Sequence, residues 1–182
     1  MKKTLMAIFV GLAIGAGQST WGQSSIPPGY QAAVRTRDLS PVVFYAIALT
    51  ESGQSEMTAE YRPWPWTLSI NAQPHYFRDR YTAEIALKDA IERNVEQLGV
   101  GLFQIEHRYH AQRFQSIESM LDPYANSRVA AEIFSEGLRQ SNGDLWAAVG
   151  AFHSSTPTLA DAYRKRVAER LFRLLGRGVD GR

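Results

Sequence analysis

Among the ionisable side chains of this 182-residue sequence, Glu51 holds the position best suited to acid–base chemistry. It follows the run from Pro41 to Thr50, in which Val42 to Leu49 is apolar nearly all round. Ser40 before Pro41 marks a helix start, an N-cap followed by a proline at the first helical position. A helix that is apolar on every side belongs in a core. Phe44, Ile47, Ala48 and Glu51 recur at three- and four-residue intervals and therefore share a face. Glutamate is rarely buried without a partner or a task. Burial raises its pKa, and a carboxyl still protonated near neutral pH can donate to a poor leaving group. Alternatively, Glu51 lies past the last turn and faces solvent. Periodicity alone does not decide between the two.

Other chemistries find less support. The four histidines, His75, His107, His110 and His153, fall in no recognised metal spacing, and there is no cysteine. No metal site and no cofactor is expected. His153, Ser154 and Asp161 contain the residue types of a serine hydrolase, but no nucleophile elbow surrounds the serine. No glycine-rich phosphate loop follows a strand, which argues against a nucleotide-binding sheet.

The elements that must position Glu51 read mainly as helices. Ser52-Gly53 closes its helix. Arg62-Pro63-Trp64-Pro65-Trp66 cannot be helical, since each proline removes a donor and restricts its neighbour. Thr67 to Ile70 favours an extended segment, Asn71 to Pro74 a turn, and His75 to Phe77 a returning strand. Residues 82–98 carry Ile85, Ala86, Ile91, Val95 and Leu98 at helical spacing, with Gly99 as a cap. A tight, non-periodic stretch follows to Ile105, and a helix restarts near Ala111. Asp122-Pro123, Gly143-Asp144 and Thr156-Pro157 begin three further helices. Tyr163, Val167, Leu171 and Leu174 line the buried side of the last. The expected class is α+β, mainly α-helical, with a small hairpin or extended segment. Residues 30–176 form one domain behind a polar lead-in, in which Ile26-Pro27-Pro28-Gly29 reads as a stiff turn.

The N-terminus reads as a secretory signal peptide over residues 1–22. Met1-Lys2-Lys3 is basic, Leu5 to Ile14 is apolar or small, and cleavage after Gly17 or Gly22 would leave a small residue at the cut. Its removal takes two lysines from the 20 basic residues and balances them against the 18 acidic ones. The charge therefore offers no case for nucleic acid, and no basic patch with interleaved aromatics appears. The basic run from Arg164 to Arg177 reads as the solvated face of the last helix or, alternatively, as a contact with a partner or the envelope. Disulfides contribute nothing, so the fold rests on its core. The expected location is the periplasm.

Three stretches and a tyrosine, in order, carry a resemblance. Ala48-Leu49-Thr50-Glu51-Ser52-Gly53 resembles the glutamate–serine motif of the family 1 lytic transglycosylases, relatives of goose-type lysozyme. Gly99-Val100-Gly101-Leu102-Phe103-Gln104-Ile105 is similar to their second motif, with Phe103 where methionine is usual. Ala148-Val149-Gly150-Ala151-Phe152-His153-Ser154 resembles the third, and Tyr163 stands where the family places a tyrosine near the glutamate. The Phe-His-Ser form, together with Arg62 to Phe77, looks like the small transglycosylases of conjugation and type IV secretion systems.

The resemblance implies a lysozyme-like fold and peptidoglycan glycan strands as substrate. It makes Glu51 the catalytic acid for the bond between N-acetylmuramic acid and N-acetylglucosamine. The same carboxylate then takes the proton of the muramyl 6-hydroxyl, giving a 1,6-anhydro product. An envelope-spanning conjugation or secretion machinery is the implied partner. Ser52 then either touches substrate or glutamate, or caps its helix. Gln104 either binds sugar or satisfies backbone in a glycine-rich turn. Tyr163 is a core residue by pattern and a partner of Glu51 by resemblance. His153 and Ser154 depart from the broad pattern and bear on sugar contact. Tyr76, Trp64 and Trp66 either stack on sugars or pack an irregular lobe. Three rivals remain: a non-cleaving adaptor, a wall-binding module, and a hydrolytic lysozyme drawing its second carboxylate from Asp79, Glu84 or Glu56.

Overall fold

The structure, a computed structural model, describes residues 26–37, 39–57 and 60–177. The expected signal segment, residues 1–22, lies outside them. Among the described residues no helix is long and apolar enough to cross a membrane.

The first element of the described residues is a short helix, α1 (Pro28–Val34), where a stiff turn was expected. Pro28 sits in its first turn, where a missing N–H costs nothing. Helix α2 (Pro41–Ser52) follows, and Val43 to Leu49 are all buried in it. Two short strands, β1 (Gly53–Gln54) and β2 (Arg62–Pro63), pair antiparallel directly after it. They tie the proline–tryptophan segment to the helix end, and the Trp64 N–H donates to the Ser52 carbonyl at 3.0 Å.

Strands β3 (Thr67–Ile70) and β4 (Gln73–Tyr76) make the expected hairpin. Asn71 and Ala72 turn it with φ of 50° and 62°. Positive φ at both central residues matches the right-handed twist of the strands. Helix α3 (Arg80–Glu92) is capped by the Asp79 carboxylate, which accepts from the Thr82 N–H at 2.9 Å. It ends well before the expected Leu98. Asn94, at φ 55°, turns the chain out, and Leu98 opens strand β5 (Leu98–Val100) instead. Strand β6 (Ile105–Glu106) completes an antiparallel sheet of order β4-β3-β5-β6. The glycine-rich stretch is thus partly strand, with Leu68 opposite Val100.

A single-turn helix, α4 (His107–His110), and a 3₁₀ turn (Ala111–Arg113) replace the helix expected to restart at Ala111. After a second 3₁₀ turn (Glu118–Leu121) come α5 (Pro123–Gln140), α6 (Leu145–His153) and α7 (Pro157–Arg177). The starts of all three follow the expected signals. Asp122 caps α5 by accepting from the Tyr124 and Ala125 N–H groups, and Asp144 caps α6 through Ala147.

One core joins these layers. Phe44 stacks on Phe103 with ring centroids 4.3 Å apart. Leu68, Leu87, Val100, Phe134, Val149 and Val167 fill the rest. Helix α2 packs along α7, and α7 along α6. Gly150 permits the second contact: a Cβ there would run into the Arg164 guanidinium and meet the Ala160 Cβ at 3.1 Å. The result is α+β and mainly helical, as expected.

Candidate active site

Glu51 lies on the last turn of α2, at the junction of that helix with α7. It is partly buried, and Tyr163 of α7, only 1% exposed, donates its hydroxyl to Glu51 Oε1 at 2.6 Å. The two residues are 112 positions apart. Such a short bond is expected when a carboxylate accepts. It also satisfies the polar end of a tyrosine whose ring is in the core.

The electrostatics favour a proton on Glu51. Burial pushes its carboxyl up from 4.5 to about 7, against the lowering effects of the Tyr163 hydrogen bond and the Arg166 charge. Desolvation is therefore the dominant influence. Burial, together with the Glu51 charge, also raises the Tyr163 hydroxyl well above its usual value, so it stays a donor. The His153 imidazole lies flat against the Tyr163 ring, 4.6 Å between centroids and 3° between planes. Burial and the nearby Arg166 lower its pKa, favouring the neutral ring. The Arg166 guanidinium sits 5.4 Å from the centre of the same tyrosine ring. Glu51, Tyr163, His153 and Arg166 thus form one group. It comes from the ends of α2 and α6 and the first turns of α7.

The remaining expected residues separate into supports and a distant lobe. Ser52 is fully buried and turned inward, where its Oγ donates to the Leu102 carbonyl at 2.7 Å and lies 3.3 Å from that of Ala48. It stitches the helix end to the second motif. Gln104, at φ 46°, commits its Nε2 to the carbonyls of Gly101 at 2.7 Å and Thr67 at 3.1 Å. These bonds hold an unfavourable backbone conformation in place. Ser154 Oγ accepts from the Thr156 N–H at 3.1 Å, in the turn before α7. Tyr76 is partly buried at the end of β4, opposite Thr67. Burial and the neighbouring Tyr61 and Glu56 raise its hydroxyl pKa. Trp64 donates its Nε1–H to the Phe77 carbonyl at 2.7 Å and meets Trp66 edge-on at 5.1 Å. Both tryptophans brace the hairpin lobe.

The sequence reading missed two contributors. Asn126 is fully buried. Its Oδ1 accepts from the Phe103 N–H, and its Nδ2 donates to the Val100 and Met120 carbonyls, each at 2.9 Å. It clamps the second motif, where Gly101 adopts φ +81° and a Cβ would stand 2.6 Å from Asn126 Nδ2. The only signal was an amide one turn inside the capped start of α5. Arg166 is the other. Its signal was the spacing of three residues after Tyr163.

Replacing Asn126 by alanine removes all three bonds from the buried second motif. The expected cost is about 2–4 kcal/mol, seen as a Tm lower by about 5–10 °C in thermal denaturation. A Tm within about a degree of the native protein would mean the loop is held by other contacts.

Of the carboxylates a hydrolytic route would draw on, Asp79 caps α3 and Glu84 is ion-paired to Arg80 at 2.7 Å. Glu56 is exposed beyond β1. Among the described residues no group of His, Asp and Glu is arranged to hold a metal ion.

A family model, the transglycosylase SLT domain, matches residues 30–171. The chain belongs to this transglycosylase family. The match takes in α2, both glycine-bearing motifs and the part of α7 that carries Tyr163. No curated protein and no solved structure matches the chain. Membership supports peptidoglycan lytic transglycosylase activity in general terms and agrees with the mainly helical, lysozyme-like architecture.

Proposed function

We propose that this SLT-domain protein cleaves the β-1,4 bond between N-acetylmuramic acid and N-acetylglucosamine with formation of a 1,6-anhydromuramyl end. The observation that carries the reading is the half-buried carboxyl of Glu51, which burial pushes up to about 7, with a tyrosine hydroxyl aimed at it. At neutral pH about half of such groups hold a proton to give. Once the proton has gone to the glycosidic oxygen, the carboxylate can take one back from the muramyl 6-hydroxyl. That hydroxyl closes on its own anomeric carbon, so no water enters.

Hydrolysis would need a second carboxylate facing the first across the bond. Asp79 and Glu84 are held in structural bonds, which favours internal attack. An adaptor or a wall-binding module has no use for an acid with an elevated pKa, oriented from another helix.

The protein is placed in the periplasm, on the strength of its basic, then apolar, N-terminal sequence. A role in opening the wall for a conjugation or secretion apparatus rests on the Phe152-His153-Ser154 form of the third motif and on Arg62 to Phe77. Digestion of purified peptidoglycan, with mass analysis of the soluble fragments, tests the activity. Anhydromuramyl ends are expected. Fragments with reducing ends would assign a lysozyme, and no fragments at all an adaptor.

A further inference from the structure

Three helices meet at the acid, and few charges face it. On α2 the titratable side chains are Tyr45 and Glu51, and on α6 there is His153 alone. Both helices pack along α7, which supplies the cations. Arg164 is bonded to Asp161, one turn back. Arg170 lies on the Tyr61 ring, 4.6 Å from its centre. Arg166 stands beside the acid, exposed, with its guanidinium 5.4 Å from the centre of the Tyr163 ring.

Arg166 has no ion-pair partner among the described residues, although Glu169 lies three residues on, within helical reach. It makes no direct ion pair with Glu51 either. It reaches that carboxyl across the tyrosine, whose hydroxyl donates to Glu51 Oε1 at 2.6 Å. The face of an aromatic ring attracts a guanidinium and so gives this one a resting place.

The stand-off suits an acid that must give up a proton and later take one back. A direct ion pair would keep Glu51 ionised and leave it nothing to give. With no cation nearby, burial would oppose the carboxylate that forms when the proton leaves. A charge behind the tyrosine supplies part of that stabilisation without removing the proton in advance. The resting site shows the same balance: burial pushes Glu51 up to about 7, and Arg166 acts against it. His153 adds no second charge, because burial and Arg166 both favour its neutral ring.

We propose that Arg166 is a positioning residue for cleavage at Glu51: its charge, held off by the Tyr163 ring, steadies the carboxylate that remains when the proton passes to the glycosidic oxygen. The proposal rests on Glu51 being the acid of the proposed reaction.

The test follows the proton itself. Protein carrying carbon-13 in its glutamate carboxyls is titrated by NMR in the native, R166Q and R166K forms, with E51Q to identify the Glu51 signal. In R166Q the Glu51 midpoint is expected to rise by about half to one pH unit. R166K keeps the charge and returns most of that rise. Added salt moves the native midpoint in the same direction as R166Q, since Arg166 is exposed. The same comparison in an H153Q background takes the imidazole out of the titration and keeps the shift. On peptidoglycan fragments, kcat on its low-pH plateau, where both forms hold the proton, falls about three- to tenfold in R166Q and recovers in R166K. KM changes little.

An unmoved Glu51 midpoint in R166Q overturns the proposal. So does an R166K form that behaves as R166Q, since shape and not charge would then matter. A change confined to KM also overturns it and makes Arg166 a substrate contact. A moved midpoint in a protein that cuts no peptidoglycan would leave the coupling of Arg166 to Glu51 in place and overturn the proposed activity. Cleavage with an unmoved midpoint would do the reverse.

Discussion

Glu51→Gln abolishes peptidoglycan cleavage, lowering the rate by about 10²–10⁴-fold, the usual contribution of a positioned acid. Glutamine keeps the shape and an oxygen for the Tyr163 hydroxyl, so the fold survives. Stability supplies an independent check. The folded carboxyl has a pKa of about 7 against an ordinary 4.5. Between those values the folded state holds a proton that the unfolded chain has released. Native stability therefore falls as pH rises through that window, and the deficit persists above it. Glutamine has no proton to lose. The variant should be the more stable protein at pH 8, by about 1–3 kcal/mol, and the difference should close by about pH 4. Urea denaturation at the two pH values measures this. A variant less stable at both would make Glu51 a structural residue.

Tyr163→Phe has the second largest effect, and it should appear in two readouts. The hydroxyl orients Glu51 through a bond of 2.6 Å and lowers its pKa. Removing it should cut kcat by about 10- to 100-fold, the worth of a hydrogen bond to a charged group. It should also let burial raise the Glu51 pKa further. The alkaline limb of the rate profile, expected near the Glu51 value of about 7 in the native protein, should then move up. The phenyl ring still fills the core position against His153. An unchanged rate with an unmoved limb would show that the hydroxyl neither orients Glu51 nor tunes its proton.

The sequence exposed the helices better than the sheet, for a physical reason. Helix starts are local: Ser40-Pro41, Asp122-Pro123 and Asp144 announce themselves within a few residues. The β3–β4 hairpin is nearly as local, since two prolines bar helix on one side and Asn71-Ala72 turns the chain. Strand β5 is different. Its pairing of Leu68 with Val100 joins segments far apart, and Val95 and Leu98 happen to continue the spacing of α3. Nothing local in the sequence distinguishes that coincidence from a helix.

The site divides along similar lines. From periodicity, Glu51 was as consistent with solvent as with a core, and Tyr163 was simply a core residue. Only the order of the family motifs linked them, and the structure places them in direct contact. Ser52 and Gln104 illustrate the limit of motif reading. Both occupy motif positions, yet the Ser52 hydroxyl and the Gln104 Nε2 bond to the chain itself. Asn126 was hidden because an amide within a helix ordinarily faces water, and here it is clamped by a loop that precedes it in the chain.

The most direct test of the account is digestion of peptidoglycan in water enriched in heavy oxygen, with the new muramyl ends weighed. If Glu51 returns its proton balance through the muramyl 6-hydroxyl, the ends are anhydro, lighter than hydrolysed ends by one water, and carry no heavy oxygen. Muramyl ends that have taken up heavy oxygen at the cut would contradict it and make the protein a hydrolase.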